Sequence, residues 1–247
     1  SSLWIDDDSP QAGTVGGIQE GVNLVTAGGT VNVLAGTYAE HVAIDKAVSV
    51  LGADKATTFS DGSANDVVVQ ISASEVAIKG FTVRNSGTDL NQHAGIAAVG
   101  TTAALTGLVI EDNIVTNNAT GVALLGASAT VQNNEIVNNA RYGIVMSSSP
   151  HNAALLSTGN TVVANTLRGN ARDGIYCDAA CSGNLIAENW IGGAAGTHEV
   201  GQLTDLEGNG IYLWGSSNNV VSCNEIVGNA VYGIEMMMSD GNIITNN

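Results

Sequence analysis

The residues best equipped for chemistry lie close together in the second half of the chain: Arg168, Arg172, Asp173, Asp178 and Glu188. A carboxylate pair with a guanidinium nearby could serve acid/base work, so Arg172, Asp173, Asp178 and Glu188 are the catalytic candidates. The same residues also read as structure. Arg172-Asp173 would then be an ion pair in a turn beside Gly174, matching Arg141-Tyr142 one repeat earlier. Two acidic groups offer oxygen ligands at calcium-loop spacing: Asp61 and Asp66 in Asp61-Gly-Ser-Ala-Asn65-Asp66, and the triplet Asp6-Asp7-Asp8. Each also reads as an ordinary polar turn, and calcium is the one cofactor suggested. Cys177 and Cys181 bracket the segment Cys-Asp-Ala-Ala-Cys, where they could close a local disulfide or remain thiols, with Cys223 left over. His151 and His198 stand at no ligand spacing from them, so a metal reading of the cysteines is poor.

These residues ride on a repeating phrase. An apolar residue is followed three positions later by Asn and two after that by another apolar residue. It occurs as Ile110/Asn113/Val115, Val131/Asn134/Ile136, Val162/Asn165/Leu167, Ile186/Asn189/Ile191 and Val221/Asn224/Ile226, and begins again at Ile243/Asn246. The leading residues are 21, 31, 24, 35 and 22 positions apart. Units repeated at such intervals make a solenoid, in which each buries its apolar side only against its neighbour. A second phrase runs in parallel: Gly95-Ile96, Gly121-Val122, Gly143-Ile144, Gly174-Ile175, Gly210-Ile211 and Gly233-Ile234. Each opens a short alternating run, and no sustained helical periodicity interrupts them. Each coil therefore has at least two short strands that pair in parallel with those of the next coil. The expected fold class is all-β, a parallel β-helix. Its repeated Asn would bond the Asn one coil away and so satisfy a tight buried turn.

The 247 residues are enough for one domain with a large core, here built from small aliphatics. We divide it into an N-terminal cap, residues 1–30, and coils over 31–247. Ile18, Val22 and Val25 stand at helical spacing in Gly17–Thr26, a short helix that could cover the first coil's raw strand edges. Two or three strands should follow over Thr30–Gly52, broken at Ala35-Gly36. Seven Lys and Arg against 23 Asp and Glu leave a net charge of −16. That excess argues against nucleic acid and anionic membranes as partners. No apolar run approaches the roughly 18 residues of a membrane span. The chain opens at Ser1 rather than Met, which fits a mature secreted product or a trimmed one. It ends partway through a coil, so either the natural protein continues or another subunit covers that end.

The segment Thr30–Gly52, with the Asp triplet before it, resembles the start of many secreted right-handed parallel β-helix proteins. These include the pectin-lyase-like superfamily and the NosD-like group of periplasmic copper-accessory proteins. The stretch Ile191–Thr197 leading into Gly208-Asn209-Gly210-Ile211 resembles an insertion common in microbial surface β-helices. The resemblance implies a right-handed winding, an extracellular, cell-surface or periplasmic setting and, commonly, business with polysaccharide. Fold alone does not assign chemistry. The superfamily's lyases, hydrolases, esterases and epimerases carry recognisable Asp, Arg, Lys and His motifs, and none of those motifs is present. Only Lys46, Lys55, Lys79, Arg84, Arg141, Arg168 and Arg172 are available as cations.

Alternation sorts the Gly-Ile strands. If their Ile residues point inward, the outward columns are Ala97, Ala123, Val145, Tyr176, Tyr212, Glu235 and Val99, Leu125, Ser147, Asp178, Trp214, Met237. This is more apolar than a face that meets only water, and contiguous apolar surface marks a partner site. The candidate binding residues are Val99, Leu125, Val145, Tyr176, Tyr212, Trp214 and Met237. They could form an interface between copies, a stacking platform for sugar rings, or a surface covered by a loop such as Thr197–Glu207. The sequence thus leads us to expect a non-catalytic surface protein that self-assembles into oligomers or filaments. The alternative is a polysaccharide-binding protein or, if an enzyme, a polysaccharide lyase or glycoside hydrolase.

Overall fold

The computed structural model describes residues 1–7, 17–178, 181–193 and 208–247. Asp8, Ala194–Thr197 of the resembling insertion and the Thr197–Glu207 loop lie outside them. Three long parallel sheets make the body, and within each the strands succeed one another in chain order. The first has ten strands, from Ser2–Ile5 to Ile243–Thr245; the second has eight, from Gly36–Ala39 to Glu225–Val227; the third has eight, from Val42–Ile44 to Ile234–Met237. This is a right-handed parallel β-helix, wound in the sense that parallel crossovers take. A two-stranded sheet pairing Ser157–Thr158 with Cys181–Ser182 adds a fourth side to the middle coils.

Each full coil has three principal strands, where the sequence had promised at least two. The residue leading the Asn phrase lies in the first sheet, the residue closing it in the second, and the Gly-Ile run in the third. Equivalent apolar residues stack in register: Val131 on Val162, Ile136 on Leu167, Ile144 on Ile175. All six are fully buried, so the core is a set of aliphatic columns running along the axis. The segment expected to hold two or three strands holds four: Gly29–Val33, Gly36–Ala39, Val42–Ile44 and Val48–Gly52. Short polar corners at Glu40-His41 and Asp45–Ala47 divide it more often than the Gly alone suggests.

Corners are built from a left-handed residue followed by a buried Asn. The residues before each such Asn, namely Asp112, Asn133, Ala164, Glu188, Cys223 and Asn246, all have φ between 53° and 59°, and the last phrase is therefore Ile244/Asn247, one residue later than the Ile243/Asn246 read from the sequence. The Asn side chains then form a ladder: each Nδ2 of Asn113, Asn134, Asn165, Asn189 and Asn224 donates to the Oδ1 of the Asn one coil on, at 2.8–3.1 Å. The corresponding backbone N–H groups donate to the same oxygens. Two further ladders stand at other corners, Asn118–Asn139–Asn170 and Asn160–Asn184–Asn219–Asn242. Buried polar groups that must turn the chain are thereby paired rather than stranded.

The Gly of the Gly-Ile phrase has a separate cause. A Cβ on Gly174 would lie 2.5 Å from Ile191 Cγ2 and 2.6 Å from Gly210 O. A Cβ on Gly143 would meet Gly174 O at 2.5 Å. These glycines let one coil's backbone sit directly on the next. At the N-terminal end, α1 (Gly17–Leu24) buries Ile18 and Val22 against the first coil, two residues shorter than its spacing suggested. No described helix is long and apolar enough to cross a membrane.

Candidate functional site

The outer face of the third sheet is a groove. The register places Ala97 beside Ala123, Ala123 beside Val145, Val145 beside Tyr176, and Tyr176 beside Tyr212. The second outward column runs from Val99 to Leu125, on to Ser147, and then to Asp178, whose Oδ2 accepts the Ser147 hydroxyl at 2.9 Å. Two loops rise beside this face, Gly87–His93 and Ser148–Leu156, and contribute Leu90, His93, Pro150 and His151 to the groove. Val67, Ala94, Ala97, Val99 and Ala123 form a second small apolar cluster, with Leu125 and Val145 packed on it. Ala97, Ala123 and Val99 are only 3%, 6% and 8% exposed. The first half of the stripe is therefore a recessed floor.

Arg141 fixes one wall. Its Nη1 donates to Leu90 O at 2.8 Å and to Asn91 Oδ1 at 2.6 Å, and its guanidinium carbon lies 4.7 Å from the centroid of the Tyr142 ring. The second wall is held by Ser149, buried beneath its own loop, whose hydroxyl donates to Gly100 O and accepts from His151 N–H at 3.1 Å.

The tyrosines form a stack of their own. Tyr142 and Tyr176 lie 4.9 Å apart with planes 17° from parallel, and Tyr212 follows at 5.5 Å and 43°. Ring faces expected to stack on sugar are thus in part spent on one another. Tyr142 and Tyr176 are both in the groove lining. Burial, reinforced by Asp178 and the neighbouring tyrosines against the opposing Arg172, pushes the Tyr176 hydroxyl pKa well up. It therefore stays a protonated hydrogen-bond donor over any physiological range. Trp214 and Met237 continue the outward column beyond the groove, 37% and 40% exposed.

The four catalytic candidates are not one cluster. Asp178 lines the groove, and Arg172 holds its guanidinium 5.4 Å from the Tyr142 ring. Asp173 is 2% exposed, and its Oδ1 accepts the backbone N–H of Gly208 at 3.2 Å and of Asn209 at 2.8 Å. It is a structural carboxylate. Glu188 is the left-handed residue of the corner between the first and second sheets, away from the third. Among the described lining residues Asp178 is the one carboxylate, so the pair that glycoside hydrolysis uses is not assembled there.

Three of the carboxylates at calcium-loop spacing accept hydrogen bonds within the chain. Asp61 accepts Arg84 Nε at 2.8 Å, Asn85 Nδ2 at 2.9 Å and Ser63 N–H at 2.9 Å. Asp66 accepts Val67 N–H, and Asp7 accepts Thr37 N–H. No group of three His, Cys, Asp or Glu side chains able to hold a metal ion forms among the described residues. Of the two states the sequence left open for the cysteines, disulfide or thiol, the structure has the thiols. Cys177 and Cys181 are free thiols, buried in the coil interior, and they contact each other. Cys177 points inward beside Met146 and Leu213, acting as a small apolar filler.

Residues 55–247 match the family described as the right-handed beta helix region, and the chain belongs to that family. Among solved structures it is similar to pectate lyase Pel9A, at 14% identity and TM-score 0.65, covering 100% of this chain and 78% of that one. It is similar also to the mannuronan C-5 epimerase AlgE4 A-module of Azotobacter vinelandii, at 16% identity and TM-score 0.61, covering 93% and 71%. A third likeness is to the enzymatically active domain of bacteriophage CBA120 tailspike protein 2, at 14% identity and TM-score 0.58, covering 90% and 34%. At such identities these likenesses establish the fold. No curated protein sequence matches the chain.

Sequence reasoning identified Val99, Leu125, Val145, Tyr176 and Asp178 of this groove but missed Arg141, Tyr142, His93 and His151. The Arg141-Tyr142 pair was visible immediately before Gly143-Ile144. The histidines lie in spacer loops of irregular length, where the repeat carries no signal.

Proposed function

We propose that this chain is an extracellular polysaccharide-binding β-helix that holds a length of glycan in the groove over its third sheet. The carrying observation is the recessed floor between two loops, with Tyr142 and Tyr176 edges and the Asp178 carboxylate along it. Apolar floors suit the C–H faces of sugars, while phenol hydroxyls and a carboxylate suit their hydroxyls. The pectate lyase, epimerase and tailspike likenesses are consistent with such a ligand. With one carboxylate in the described lining, binding without cleavage is the simpler reading.

Lateral self-assembly through the same stripe is the second reading, favoured by the exposed Trp214 and Met237 on the outward column. A recessed floor fits a flat partner poorly, so we rank it below glycan binding. Affinity electrophoresis in polysaccharide-containing gels separates the two. Retardation that Tyr176→Ala and Asp178→Ala abolish would support glycan binding. A defined oligomer by light scattering that Leu125→Ser with Tyr212→Ser dissociates, without any retardation, would instead favour assembly.

A further inference from the structure

Resting on that reading of the groove, we infer that its glycan is uncharged, and that the site discriminates against uronate chains. Recognition of a uronate needs a cation that can turn its N–H groups to the ligand. The described lining holds one arginine, Arg141, and its guanidinium is held in the wall by one nitrogen. Its Nη1 donates twice into the Gly87–His93 loop and the group lies against the Tyr142 ring, while Nε is buried without a hydrogen-bond partner and closed to a ligand from solvent. Arg172 also approaches that ring but is not part of the lining. Of the two histidines, His93 uses Nδ1 to accept Asp89 N–H, a role open only to the unprotonated nitrogen.

The negative side is better supplied. Asp178 lies in the groove, Asp89 sits in the loop that forms its wall, and the chain as a whole carries −16. A polyanion entering this cleft meets like charge at close range and over the whole molecule. A neutral chain meets donors and acceptors for its hydroxyls and no like charge, so the repulsive element sets the specificity.

The test is isothermal titration calorimetry at pH 8 in low salt. Neutral gluco-, manno-, galacto- and xylo-oligosaccharides are compared with oligogalacturonate and oligomannuronate of matched length. A neutral oligosaccharide should bind at least tenfold more tightly than either uronate. Asp178→Asn, nearly isosteric and checked for its circular dichroism, should narrow that ratio, as should added salt. Uronates binding as tightly as the best neutral chain, or a ratio unmoved by Asp178→Asn, would overturn the inference while leaving the groove a glycan site. If none of these oligosaccharides binds, the reading of the groove itself falls, and this inference with it.

Discussion

Glu40 closes the open end of the capping helix: its Oε1 accepts Ile18 N–H and its Oε2 accepts Gln19 N–H, both at 2.9 Å. A helix N-terminus leaves such donors unsatisfied, and here the partner comes from a corner more than twenty residues downstream. The contact ties the cap to the coil it covers. Glu40→Ala should cost about 1–2 kcal/mol, a typical loss for a cap. Amide hydrogen exchange over Ile18–Val25 should accelerate while exchange in the middle coils does not. Burial pushes the Glu40 carboxyl above its ordinary value, and the two N–H bonds offset this only in part. A raised carboxyl favours the fold at acid pH and loses that contribution as pH rises through its folded value. The protection difference between wild type and Glu40→Gln should therefore change between pH 4 and pH 7.

Asp61 should behave with the opposite sign. Burial works against its charge, but bonds from Ser63 N–H, Arg84 and Asn85 outweigh it and hold the carboxyl below the usual range. Its contribution is present above its ordinary value of 3.8 and is lost as pH falls through the lower folded value. Because Arg84 is partly exposed, the pair is worth no more than about 1 kcal/mol at pH 7. Urea melts of Asp61→Asn against wild type should show that gap at pH 7 and none near pH 2. A gap that persists in acid would mean the substitution acts through packing.

The Asn ladder should be cooperative along its length. Asn165 accepts from both nitrogens of Asn134 and donates to Val131 O, Val163 O and Asn189 Oδ1. Asn165→Ala leaves several buried groups without partners, each worth about 1–3 kcal/mol, so a loss of at least 3 kcal/mol is expected. Asn247→Ala, at an exposed rung, should cost under about 1 kcal/mol. Equal losses at both positions, read from denaturant melts, would show that the ladder matters only as a set of local turns.

How much of this could be read beforehand follows from what each feature depends on. The coil, its inward columns and the central ladder were legible because stacking forces Asn113, Asn134 and Asn165 to recur beside aliphatic residues at fixed offsets. The other two ladders were just as regular. Asn118, Asn139 and Asn170 stand five residues after a central Asn, and Asn160, Asn184 and Asn219 five before one. The second of these escaped notice because Ala129 and Leu108 take its place in earlier coils. The groove was legible only in part. Its floor obeys alternation, but its walls depend on Arg141 reaching Leu90 and Asn91 across fifty residues, which no local pattern encodes. Grouping Asp173 and Glu188 with Asp178 failed because nearness in sequence is not nearness on a coil. A few residues turn the chain from one sheet to another.

The cysteines give a prediction that separates packing from bonding. Burial, with Cys177 and Asp178 beside it, pushes the Cys181 thiol pKa far up, so little reactive thiolate forms near neutrality. Cys177 is fully buried beside it, whereas Cys223 occupies an exposed corner. An aromatic disulfide reagent at pH 8 should therefore label one thiol per native chain quickly and all three after denaturation. Cys223→Ser should remove the fast phase and leave the slow ones unchanged. Protein denatured without reductant that yields a single thiol would show that Cys177 and Cys181 had joined. Their contact inside the coil permits this once an oxidant reaches them, and Asp178, one residue from Cys177, would then be tethered from both sides of the groove's end.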